Sequence, residues 1–123
     1  MTNQEIRDIV AAVSKTMANN KDWVFCYISG KVTGLTPEEV KLKFAITEAQ
    51  MIQKGTACFN PSTHIKPDCD WKQAMKLCIA ILPMCDFIYM QKDWRSSDGA
   101  KKERDIALTL GITVFYEELQ KTP

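Results

Sequence analysis

No apolar run in the chain approaches the roughly 20 residues that a helix needs to span a bilayer. The segment Met1 to Asn20 also lacks the apolar stretch of a secretion signal. A cytoplasmic location with no membrane partner is therefore expected. An excess of one charge is missing too: 16 basic residues meet 15 acidic ones, and the formal net charge is +1. No overall field draws the protein to a nucleic-acid polymer. The five cysteines are an odd number without close paired spacing, which argues against a disulfide framework. Cys26, Cys78 and Cys85 lie in apolar stretches, where a free thiol behaves as a small hydrophobe. The single histidine, His64, makes no recognisable zinc spacing with Cys58 and Cys69. It also offers no Ser-His-Asp or Cys-His pairing. Repeats, low-complexity tracts, P-loops and dinucleotide fingerprints are absent. No metal and no cofactor are expected.

What remains is an ordinary globular composition, 46% apolar and 25% charged, in a length that suits one domain over 1–123. Helical and strand-like patterns alternate. Ile6, Ile9, Val10, Val13 and Met17 recur at helical spacing and predict an amphipathic N-terminal helix over 1–20. Trp23 to Ile28 reads as a buried strand covered on both faces. Thr36-Pro37-Glu38-Glu39 starts a helix that Gly55 ends. A strand at Thr56–Phe59 and a loop from Asn60 to Cys69 follow. Asp70 is predicted to cap a helix with Trp71, Met75, Cys78, Ile79 and Leu82 on its core face, stopped by Pro83. Phe87–Met90, a helix ending at Gly111 and Ile112–Tyr116 complete the chain.

This alternation predicts an α/β three-layer sandwich, with a parallel, flavodoxin- or Rossmann-like sheet in strand order 2-1-3-4 and an extra N-terminal helix. Ligands of such sheets bind at the carboxyl ends of the strands, where the order reverses. That point lies between the first and third strands, flanked by loops Ser29 to Thr36 and Gln91 to Asp98.

Glu103 is the sharpest chemical signal. It shares the inward stripe of the last helix with Ala100, Ile106, Ala107 and Leu110. A carboxylate there needs a partner, because desolvating its charge is costly. A ligand-facing role beside the cleft satisfies that need, and so does an ion pair with a nearby Lys or Arg. Ser97 and Gly99 sit at the N-terminus of that helix, where hydroxyl and backbone N–H groups hold anions. Plain capping by Ser97 or Asp98 explains the same residue types. Ser29, Gly30 and Lys31 in the first loop suit contact with sugar or phosphate. Trp94, in the second loop, is placed to stack on a base or to pack in the core, whereas Trp71 reads as core.

Three segments together resemble the nucleoside 2-deoxyribosyltransferase-like proteins. They are Tyr27-Ile-Ser-Gly-Lys-Val-Thr-Gly34, Cys85-Asp-Phe-Ile-Tyr-Met90 followed by Trp94 and Ser97-Asp-Gly-Ala-Lys-Lys-Glu103, and the ending Leu-Gly-Ile-Thr-Val114. The chain is most similar to the small DUF4406 branch of phage and bacterial proteins, with which it shares Asp70-Trp71. The resemblance implies that Glu103 is the nucleophile at the anomeric carbon of a deoxyribonucleoside and that Tyr27 orients it. It implies phosphate contacts from Ser97 and the Ser29-Gly30 loop. Asp93 and Asp98 are two candidates for the acid that protonates or holds the base. The expected activity is cleavage or deoxyribosyl transfer at an N-glycosidic bond. The alternative is a nucleotide-binding sensor module using the same cleft without catalysis. A neighbouring subunit completes the cleft in some relatives, so the resemblance allows a homo-oligomer.

Overall fold

The computed structural model describes residues 1–118, leaving the last five residues of the expected domain outside the described ones. Helix α1 spans Asn3–Asn19 and opens with a capping box between Thr2 and Glu5. Strand β1, Val24–Ser29, follows. It is not covered along its whole length. Burial begins at Cys26, while Trp23 and Val24 stay exposed at the amino edge. Helix α2, Pro37–Gln53, is capped by Thr36, whose hydroxyl accepts from the Glu39 N–H. Gly55, at a φ of 81°, turns the chain into β2, Thr56–Phe59.

The expected loop after β2 contains one helical turn, α3, Pro61–His64. Asn60 accepts from the Ser62 N–H and Pro61 takes the first helical position, which is enough to close a single turn. Helix α4, Trp71–Ile81, begins after Asp70 without a side-chain capping bond, so the expected Asp70 cap is not made. A 3-10 turn, Leu82–Met84, absorbs Pro83 before β3, Phe87–Met90. A second such turn, Trp94–Ser96, precedes α5, Asp98–Thr109, and β4 is Thr113–Tyr116.

The four strands are all parallel in the order β2-β1-β3-β4. Cys26 pairs with Cys58 on one side and with Phe87 on the other, which sets the register across the centre. Side chains then alternate between two cores. Cys26 and Ile28 pack with Phe44 and Met51 of α2 on one face. Tyr27, Ile88 and Met90 pack with Leu77, Ile81, Ala100 and Ala107 of α4 and α5 on the other. Helix α1 joins this second layer through Ile6, Ile9, Val10, Val13 and Met17. The result is a three-layer α/β sandwich whose order reverses between β1 and β3. Among the described residues no helix is long and apolar enough to cross a membrane.

Candidate active site

Parallel strands place Tyr27 and Ser29 two residues apart on β1, and therefore on the same face. Across that face runs α5, whose buried residues are Ala100, Glu103 and Ala107. Leu110, expected on the same stripe, lies past the helix end and is exposed. The Tyr27 hydroxyl donates to Glu103 Oε2. The Ser29 hydroxyl donates to Oε1 at 2.9 Å. Both oxygens are thus held by hydroxyl groups, and Glu103 is only 7% exposed. Among the described residues no Lys or Arg forms an ion pair with it. The ion-pair explanation of the inward carboxylate therefore fails. Burial pushes its carboxyl up to about 7, against hydrogen bonds from Tyr27, Ser29 and Cys78 that favour the charged form. Burial also holds the Tyr27 hydroxyl well above its usual range, so it stays protonated and donates.

The two loops expected to flank the ligand site are tied to each other. Asp93 accepts from the Lys31 N–H at 3.0 Å and pairs with Lys43 at 3.0 Å. Lys43 also donates to the Lys31 carbonyl at 2.6 Å. Buried Gln91 continues the clamp, donating from its amide to the Lys43 carbonyl and to Thr47 Oγ1. Its backbone N–H donates to the Ser29 carbonyl at 2.8 Å. A Cβ at Gly30 would overlap the Gln91 amide oxygen, so the space beside this glycine is filled by protein. Asp93 and Lys31 are engaged in holding the loops together.

At the start of α5, Ser97 accepts from the Ala100 N–H at 3.1 Å, the capping role expected of it. Asp98 is exposed in the first turn. Gly99 faces α4: a Cβ there would meet Met75 Sδ and Trp71 Nε1 at ordinary contact distance. Trp94 is 7% exposed, its ring 5.5 Å from that of Tyr116 and 4.6 Å from the Arg104 guanidinium. It packs in the core and is not an open stacking surface. Trp71 is the reverse, 47% exposed where the core stripe of α4 predicts burial. Its indole borders Gly99 of α5 and the Lys102 ammonium and is otherwise open to water.

The family described as Domain of unknown function (DUF4406) matches residues 24–116. The chain belongs to this family. No curated protein and no solved structure matches it. The DUF4406 span opens at the first residue of β1 and closes at the last residue of β4, so α1 lies outside it. It takes in Tyr27, Ser29, Asp93, Ser97 and Glu103.

Within the DUF4406 span, three residues of the site carry no sequence signal of their own. Cys78 touches both Tyr27 and Glu103 and is held protonated by burial and by the adjacent carboxylate. Gln91 and Lys43, 48 positions apart, are joined by a hydrogen bond from the Gln91 amide to the Lys43 carbonyl. Among the described residues, no group of three His, Cys, Asp or Glu side chains gathers to hold a metal ion.

Proposed function

We propose that this protein cleaves or transfers at the N-glycosidic bond of a deoxyribonucleoside or deoxynucleotide, with Glu103 as nucleophile. The observation that carries the reading is a buried carboxylate gripped by two hydroxyls at the switch point, with no Lys or Arg paired to it among the described residues. Structural carboxylates are buried with a charged partner; one buried without it is placed for chemistry. The similarity of the Tyr27 and Ser97–Glu103 segments to nucleoside 2-deoxyribosyltransferase-like proteins names the reaction class.

In the first step one Glu103 oxygen bonds to the anomeric carbon as the carbon–nitrogen bond breaks. The base leaves with the bonding pair and takes a proton from water or a nearby acid. Tyr27 and Ser29 fix the carboxylate and spread its charge. In the second step water or another base attacks the same carbon, the ester bond breaks and Glu103 regains its charge. Ser97 and the Ser29-Gly30-Lys31 loop would face the 5′ side of the sugar. Glu103 is half ionised near neutral pH, so attack strengthens as pH rises through about 7.

A panel of deoxynucleosides and deoxynucleotides, with free base followed by chromatography, tests the reading. Wild type is expected to release base and Glu103→Ala to release none. Equal release by both sinks the nucleophile. Tight calorimetric binding of a nucleotide by a wild type that never turns it over leaves the cleft as a binding module.

A further inference from the structure

We infer that Trp71 is the platform on which the nucleobase stacks, which makes the open end of α4 the base subsite of the cleft. The inference rests on the reading of Glu103 as the group that meets the sugar. Of the expected core stripe of α4, Met75, Cys78 and Leu82 are buried, whereas Ile79 is exposed and the Trp71 ring is half in water. Helix α4 runs against the strands, so its first residue lies at their carboxyl edge, where sheets of this topology bind ligands. The indole nitrogen would lie 3.7 Å from a Cβ on Gly99, which puts the ring against the first turn of α5. Gly99 and Glu103 are four residues apart on that helix, about 6 Å along its axis. A base and its anomeric carbon are separated by one bond, so one nucleoside can reach both.

The exposed Phe115 and Tyr116 end the edge strand β4, away from the switch point between β1 and β3, and the other two tryptophans do not offer this. Trp94 is buried against Tyr116, and the exposed Trp23 precedes β1 at the opposite edge of the sheet. The Lys102 ammonium lies 5.5 Å from the centre of the Trp71 ring. That contact is at an exposed site, where cation–π pairs are weak enough to yield to a stacked base. Stacking is tolerant of base identity, because every base has a π face. The subsite therefore accepts both purines and pyrimidines, and discrimination has to come from elsewhere in the cleft.

The test compares wild type, Trp71→Ala and Trp71→Phe in binding and turnover of the four deoxynucleosides and their 5′-monophosphates. 2-Deoxyribose 5-phosphate, which has no base, is the control. Trp71→Ala is expected to weaken binding of every base-bearing probe about tenfold, and Trp71→Phe to restore most of it. Affinity for the control stays the same in all three. Saturating nucleoside quenches the indole fluorescence of wild type, and the quench disappears in Trp71→Ala. If its thermal midpoint falls, Trp71→Tyr replaces it in the comparison with Trp71→Phe, and both aromatics must bind as wild type does. A nucleoside bound equally by wild type and the folded Trp71→Ala overturns the platform and leaves the Glu103 reading standing. A wild type that neither binds nor cleaves any probe overturns both.

Discussion

The chemistry concentrates in one carboxyl group, and its burial has a measurable cost. The folded protein raises Glu103 from 4.5 to about 7, so the native state binds a proton more readily than the unfolded chain between those values. The contribution to stability is therefore fully present below about 4.5 and is lost as pH rises through about 7. Glu103→Gln removes the titration while keeping the shape. At pH 8 it should be more stable than wild type by about 3 kcal/mol, and near pH 4, below both values, the two should converge. Urea titrations at both pH values check this; a constant difference would mean that Glu103 is not the source. Tyr27→Phe makes the complementary prediction. It deletes a donor that favours the charged carboxylate, so the pH midpoint of activity moves upward. Activity at neutral pH falls about tenfold, as the loss of one bond to a charged group implies. A full pH–rate profile separates this from simple misfolding, which lowers the rate without moving the midpoint.

At the scale of elements, the loops after β1 and β3 are locked together. Gly30 sits where the Gln91 amide needs room, and Gln91 is held in turn by Lys43 and Thr47 of α2. Gly30→Ala forces that amide out of its bonds and should cost about 1–3 kcal/mol, as overpacking does. The thermal midpoint reads the loss, and an unchanged midpoint would show that the amide swings aside freely. This lock also shows where sequence reading stops. Helix phase alone puts Glu103 inward, because a 3.6-residue period assigns every position to a face. Strand order follows from alternation and handedness, and it locates the cleft. The contacts of Gly30 and Gln91 lie 61 positions apart, and no local pattern encodes them. Helix α3 escapes because one turn has no period to detect. Trp71 escapes for another reason: a stripe tells which side of α4 a residue takes, not what covers it there. Tyr27 was placed at the site only by resemblance, although its two-residue spacing from Ser29 aims both side chains at α5.

For the molecule as a whole, α1 decides whether the DUF4406 span is a sufficient folding unit. The family match begins at residue 24, after α1 has ended. Yet Ile6 is buried in the same core as Leu77, Ile81 and Ile88, with Val10, Val13 and Met17 packed beside it. That packing sets the partly buried apolar face of α1 against α4 within the chain. Ser14 reaches Met84 Sδ at 3.3 Å and Lys76 donates to Asn3 at 3.0 Å, so polar contacts fix both ends of the same interface. Because α4 also carries Cys78 against Glu103, support from α1 reaches that carboxylate through the same helix. Ile6→Ala should then destabilise the protein by about 2–4 kcal/mol, the range for truncating a buried aliphatic side chain. Lys15→Ala, on the exposed side of α1, should stay within about 0.5 kcal/mol of wild type. Chemical denaturation of both variants reads the contrast, with sedimentation velocity reporting the mass in solution. Ile6→Ala should lose stability at unchanged mass. A variant of undiminished stability that changes its mass would instead mean that the stripe packs between chains.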